Sequence, residues 1–171
     1  LYKLSSLALQ IPLPEKFKNN QGLSDETKQE YRKILALYSS DTLDAAAWHI
    51  SLTIANRTGN ICFPKTTKTI ESDITKITAI IMLTSGASIA TCQRRVHDFD
   101  TIFNFFHSEN IELPCLTQEG VNNFIQYLDG SSFDNWKRNQ YMQSMQALIE
   151  NCMAFEVIPR TTTIEAMYRF D

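Results

Sequence analysis

The sequence has little glycine and little proline, with five residues of each among 171. This scarcity disfavours an all-β fold, because such a fold needs many tight turns. The longest apolar run, residues 79–83, is far shorter than the roughly 18 residues of a membrane-spanning helix. No basic and then apolar stretch of the signal-peptide type is present. We therefore expect a globular, cytoplasmic protein without a membrane partner.

Motifs for metals, nucleotides and catalysis are also missing. The four cysteines form no CxxC pair and the three histidines are scattered, so the spacing typical of zinc ligands is absent. Neither a phosphate-binding GxxxxGK[ST] or GxGxxG loop nor an HExxH motif or nucleophile elbow occurs. We expect reduced thiols, no cofactor, no small-molecule substrate and no catalytic centre in this chain, which disfavours a small helical enzyme.

The charge of the chain is unevenly distributed, although the net charge is only −3. Residues 45–95 carry six basic and two acidic side chains, net +4, whereas residues 96–171 carry four basic and eleven acidic side chains, net −7. Such asymmetry predicts one basic face on an acidic protein. The basic part suits a nucleic acid, and the acidic part suits a protein partner.

Caps and apolar periodicity predict six helices, at about residues 25–38, 42–57, 67–84, 88–106, 117–129 and 133–155. A strand over residues 77–83 is an alternative, which the longer 3.6-residue periodicity of Ile70, Ile74 and Ile77 outweighs. The predicted fold class is all-α, a compact bundle of about six helices with irregular or orthogonal packing. Four large aromatic residues are assigned to its core: Trp48, Phe99, Phe103 and Trp136.

The second predicted helix is followed by a connector and a basic helix start. The relevant residues are Ser40, Thr42, Trp48, Gly59, Phe63, Pro64, Ser88, Thr91, Arg94 and Arg95. This series resembles the N-terminal, SAM-like core-binding domain of tyrosine recombinases, the phage integrase family, over about residues 40–130. The resemblance implies a domain of a mobile element's recombinase that clamps the double-stranded DNA of a recombination site together with other recombinase protomers.

The resemblance also implies that catalysis lies elsewhere. In the family, the catalytic residues include a His-x-x-Arg box and a Tyr nucleophile in a separate C-terminal domain. None of the three histidines here has Arg three residues later. We therefore expect residues 1–39 to form an arm and one helix, residues 40–158 the core-binding domain, and residues 159–171 a tail or linker toward a missing catalytic domain.

The resemblance leaves two alignments open. In the first, residues 40–57 form the first core-binding helix. In the second, the helix that begins near Ser88 comes first, and the helices at about 117–129 and 131–155 follow it. Residues 24–84 are then an additional N-terminal layer. Both alignments place Arg94 and Arg95 on a helix that faces DNA.

The predicted DNA-binding residues centre on the first two turns of the fourth predicted helix. Lys and Arg neutralise phosphates, hydroxyl and amide groups add hydrogen bonds, and Arg can also read guanine edges. The residues that supply these groups are Ser88, Thr91, Gln93, Arg94 and Arg95, with Lys65, Lys68, Lys137 and Arg138 beyond that helix start. The competing hypothesis is a helical protein-interaction or regulatory domain that does not bind DNA.

Overall fold

The computed structural model describes residues 22, 24–53, 56–65 and 68–171. The elements in this part of the chain are α1 (Asp25–Leu35), β1 (Ala47–Leu52), β2 (Arg57–Cys62), α2 (Thr69–Thr84), α3 (Ile89–Ser108), a 3-10 turn (Leu113–Cys115), α4 (Gln118–Asp129) and α5 (Asn135–Ala154). The mostly helical fold is confirmed, with five α-helices in the described ranges. The arm expected before α1 lies outside the described residues, apart from Gly22.

The chain divides into two compact units, Leu1–His97 and Asp98–Asp171. Helix α3 is continuous through this division. The domain boundaries predicted after residues 39 and 158 do not coincide with it.

The prediction of a helix over residues 42–57 is wrong, so the all-α class holds only in part: the fold is mostly helical with a small two-stranded sheet. Strands β1 and β2 form an antiparallel hairpin, in which Ala47 pairs with Cys62 and Leu52 with Arg57. Its apolar face carries Trp48, which is completely buried, and the hairpin register places Ile61 opposite it. Alternation of buried and exposed residues along β1 is the period-two pattern of a strand with one solvent-facing side.

Helix α2 is the most buried helix of the first unit, with twelve of its sixteen residues buried. A helix that is covered on nearly all sides belongs in the interior of a fold. Its buried residues include Lys76, whose Nζ lies 5.3 Å from the centre of the Phe63 ring. Burial lowers the pKa of Lys76, while the charges of Asp44 and Asp73 partly oppose that shift.

The second unit is built on aromatic contacts between three helices. The Phe124 ring of α4 lies 5.3 Å from Phe105 of α3 and 6.4 Å from Tyr141 of α5. Such edge-on ring pairs stabilise a core beyond their buried area. The predicted core positions Phe99 and Phe103 are buried as expected. The prediction for Trp136 is wrong, because this residue is 67% exposed on the first turn of α5.

Candidate nucleic-acid interface

Two predicted DNA-binding residues with hydroxyl groups, Ser88 and Thr91, lie at the N-terminus of α3 and cap it. The backbone N–H of Thr91 donates to Ser88 Oγ at 3.1 Å, and the two hydroxyl oxygens lie 2.7 Å apart. This is the usual side-chain cap of a helix N-terminus. Ser88 remains exposed, so its hydroxyl can still face a ligand.

Gln93 joins the hairpin to α3. Its Oε1 accepts a hydrogen bond of 2.6 Å from the backbone N–H of Cys62, and its Nε2 donates to the carbonyl oxygen of Cys62 at 3.1 Å. The amide group thus satisfies both backbone groups of one strand residue, as a neighbouring strand would. Gln93 was predicted to bind DNA, and its amide is instead occupied by this contact.

A glycine lets β2 approach the first turn of α3. A Cβ atom on Gly59 would lie 3.2 Å from both Cδ1 and Cγ2 of Ile89, a distance that leaves little room for a side chain. Together with the Gln93 contact, this places β2 beside the first turns of α3. No sequence motif pointed to that contact.

Three cations on or next to β2 and α3 are exposed: Arg57 at the start of β2, Lys65 shortly after β2, and Arg94 next to Gln93 on α3. We call these three residues the basic surface. Arg57 was not among the predicted site residues, because the sequence indicates only its contribution to the charge of residues 45–95. It lies on β2, five residues before Cys62, the residue that Gln93 contacts.

Two further predicted cations of the first unit are half-buried. Lys68 directly precedes α2, and Arg95 follows Arg94 on α3. Burial raises the pKa of the Cys92 thiol to about 11, and the charge of Arg95 partly opposes that shift.

The remaining two predicted residues belong to the second unit and make internal contacts. Lys137 Nζ lies 4.0 Å from Oδ1 of the buried Asp98 and 4.9 Å from the ring centre of Tyr141. Arg138 donates to the carbonyl oxygens of Asp129 and Ser131 at 3.1 and 3.0 Å. Arg138 is therefore engaged in holding the α4–α5 connection.

No group of three or more His, Cys, Asp or Glu side chains suited to a metal ion occurs in the described ranges. Within the same ranges, no helix combines the length and apolar character needed to cross a membrane. Comparison with known proteins finds no matching family model, no matching curated protein and no matching solved structure.

Proposed function

We propose that this chain is a DNA-binding region of a tyrosine recombinase, which holds duplex DNA at the basic surface and lacks a catalytic centre of its own. The observation that carries the proposal is the contact between Gln93 and Cys62. This contact joins the start of α3, with Arg94, to the end of β2, after which Lys65 follows three residues later.

The electrostatics of the first unit favour a polyanion at this surface. Residues 45–70 and 74–97 contain no Asp or Glu, so no carboxylate from these segments neutralises Arg57, Lys65 or Arg94. Cations that meet phosphates release condensed counterions, and that release supplies most of the affinity for duplex DNA. The exposed N-terminus of α3 adds a favourable end of the helix dipole and further hydrogen-bond donors.

The arrangement of elements favours the second of the two alignments with the recombinase family. The first alignment requires a helix where β1 and β2 form a hairpin. The second requires three successive helices after Ser88, and α3, α4 and α5 follow in that order. On this proposal, other recombinase protomers join the chain on DNA, catalysis belongs to a separate domain, and no metal or nucleotide is needed for binding.

Salt-dependent binding tests the proposal. The double variant Arg94→Ala with Lys65→Ala removes two cations of the basic surface. The matched control, Arg32→Ala with Lys33→Ala, removes two exposed cations of α1 in the same unit. In gel-shift titrations on duplex DNA, log K falls with log salt, and each lost phosphate contact makes this slope less steep by about 0.9. We expect the slope to become less steep by about 1.8 for the first pair and to stay unchanged for the second.

Equal losses in the two double variants would contradict the assignment of the basic surface. Absence of binding even at low salt would contradict DNA binding itself. The competing protein-interaction hypothesis would then be favoured, since it is supported by the net charge of −7 on residues 96–171. It predicts a basic protein partner whose binding weakens when acidic side chains of α4 and its flanking turns are replaced.

A further inference from the structure

Residues 165–171 form a segment without regular secondary structure that side-chain amides hold in place, and we call this segment the strap. Gln118 Oε1 accepts from the backbone N–H of Glu165 at 2.6 Å, and its Nε2 donates to the Glu165 carbonyl oxygen at 2.9 Å. Asn139 binds the N–H and carbonyl groups of Phe170 in the same way, at 2.8 and 2.9 Å. The strap is therefore bound as a peptide would be, through its backbone.

The strap lies against the beginning of α5, although the chain enters it from the end of that helix. Asn135 Nδ2, at the first residue of α5, donates to the carbonyl oxygen of Asp171 at 2.6 Å. Phe170 is buried, and the Arg138 guanidinium carbon lies 5.5 Å from its ring centre. Between Phe155 and Phe170 the chain must therefore run back from the end of α5 to its beginning.

This return segment contains a turn that can act as a hinge. The N–H of Thr162 donates to the carbonyl oxygen of Pro159 at 2.9 Å. Arg160 is exposed, and its guanidinium donates to the carbonyl oxygens of Met153 and Ala154 at the end of α5. Opening this turn breaks the Thr162–Pro159 hydrogen bond and those of Arg160. The hydrogen bonds of the strap, in contrast, can form again on the same surface of a second copy of the chain.

Exposed apolar side chains concentrate around the strap. Five large hydrophobic residues are exposed in the described ranges, and three of them lie in the strap or on the first turn of α5: Trp136 at 67%, Met167 at 87% and Tyr168 at 50%. Clusters of exposed apolar side chains mark surfaces that a partner covers. The partner expected at this surface is a second copy of the chain, whose own strap would bind here.

We propose that the strap is exchanged between two copies of this chain, so that the strap of each copy binds the Gln118 and Asn139 amides of the other. Exchange of an identical segment keeps every contact of the strap and costs only the hinge turn, which makes it an accessible route to a dimer. The second copy would also bring Trp136 and Tyr168 of the two chains to the same interface. This proposal is independent of DNA binding.

A hinge deletion in the full chain tests the exchange. Removing Thr161, Thr162 and Thr163 shortens the reach of the return segment by about 10 Å, because an extended chain spans at most about 3.5 Å per residue. The deletion also removes the turn at Pro159, so return of the strap to its own copy is disfavoured, and light scattering after size exclusion should give twice the monomer mass. The same deletion combined with Asn139→Ala and Phe170→Ala should return to the monomer mass.

The deletion variant overturns the proposal if it stays monomeric, or if its dimer survives Asn139→Ala with Phe170→Ala. A second measurement covers the case in which the shortened chain fails to fold. Chains of residues 1–171 with a photo-crosslinking residue in place of the exposed Met167 are mixed as isotopically labelled and unlabelled forms. Crosslinks from the strap of one form to α4 or α5 of the other support exchange, and crosslinks within single copies at every concentration contradict it.

Discussion

Asp98 Oδ2 accepts a hydrogen bond of 2.7 Å from Ser144 Oγ, which joins α3 to α5 in the interior of the second unit. Gln140 Nε2 donates to both carboxylate oxygens of Asp98, at 2.9 and 3.0 Å. All three residues are buried. A buried carboxylate of this kind is tolerated only because donors surround it. It also fixes the register of the two helices, since a rotation of either helix would remove the donors.

Replacement of this carboxylate should destabilise the protein. Asp98→Ala leaves the Ser144 hydroxyl and the Gln140 amide buried without their acceptor, at a cost of about 2–4 kcal/mol in the free energy of unfolding. Urea denaturation followed by circular dichroism measures this change. The matched control is Asp100→Ala on the same helix, for which we expect a change below about 0.5 kcal/mol. Similar losses in both variants would contradict a specific role for Asp98.

The contact between Gly59 and Ile89 predicts a pair of coupled substitutions. Gly59→Val forces a branched side chain against Ile89, where even a Cβ atom would lie only 3.2 Å away. Overpacking of this kind costs about 1–3 kcal/mol. In the double variant with Ile89→Ala, part of that loss should be recovered, and thermal denaturation of the four proteins gives the coupling energy. Additive effects would show that β2 and α3 do not touch at this point.

The four thiols should differ in reactivity. Cys62 and Cys115 are exposed, whereas Cys92 and Cys152 are buried. Burial raises the pKa of both buried thiols, so the reactive thiolate is scarce there as well as inaccessible. Alkylation with iodoacetamide, read by mass spectrometry, should modify two cysteines in the native protein and all four in denaturant. Rapid native labelling of Cys92 or Cys152 would contradict this burial.

Protonation of Asp41 at low pH should weaken its contact with His49 of β1. The backbone N–H of His49 donates to Asp41 Oδ2 at 2.6 Å. This hydrogen bond, followed by the one from the His49 ring, holds the pKa of the carboxyl below its ordinary value of 3.8. A group whose pKa is lowered by folding stabilises the protein above its unfolded pKa, and the contribution is lost as the pH falls through the folded pKa.

The amide proton of His49 reports this titration in NMR spectra. We expect its chemical shift to change with a midpoint below 3.8, and to lose that midpoint in Asp41→Asn. The second strand of the hairpin supplies a control, because the amide of Asn60, opposite His49, should not follow the carboxyl. A midpoint at or above the ordinary value would contradict the contact.

The helices were predictable from local signals. Ser24 and Ser88 begin helices as their positions suggest, and each accepts a hydrogen bond from the backbone three residues later. Glycine or asparagine near the end of a helix is a similarly local signal, and Gly86 has the positive φ angle of 86° that favours glycine. Because such signals do not depend on distant residues, the predicted bounds of these helices agree with the observed bounds to within a few residues.

The hairpin was missed because Leu43, Ala47 and Ile50 have the spacing of a helical face, with steps of four and three residues. A step of four residues also keeps two side chains on one face of a strand, whose period is two, so the first step does not distinguish the two structures. The spacing that distinguishes them is that of Trp48 and Ile50, both buried, with His49 exposed between them. A helix would turn Trp48 and Ile50 to different faces.

Trp136 shows that residue type alone is a weaker guide than position. The buried stripe of α5 includes Tyr141 and Met145. Trp136 precedes Tyr141 by five residues, which is about 140° around a helix of 3.6 residues per turn. The stripe itself therefore predicts that this tryptophan faces outward. The Gln93 contact could not be predicted in this way, since it depends on a hairpin 31 residues earlier in the chain.

The three side-chain amides that bind backbone groups have a consequence for how the sequence of this protein can diverge. Gln93, Gln118 and Asn139 each bind the backbone N–H and carbonyl groups of a single residue, and these groups are the same for every residue except proline. Homologous chains are therefore expected to retain these three amides while the partner positions Cys62 and Glu165 vary freely. Distant relatives should share the isolated amides at these helix positions more reliably than any contiguous stretch of sequence.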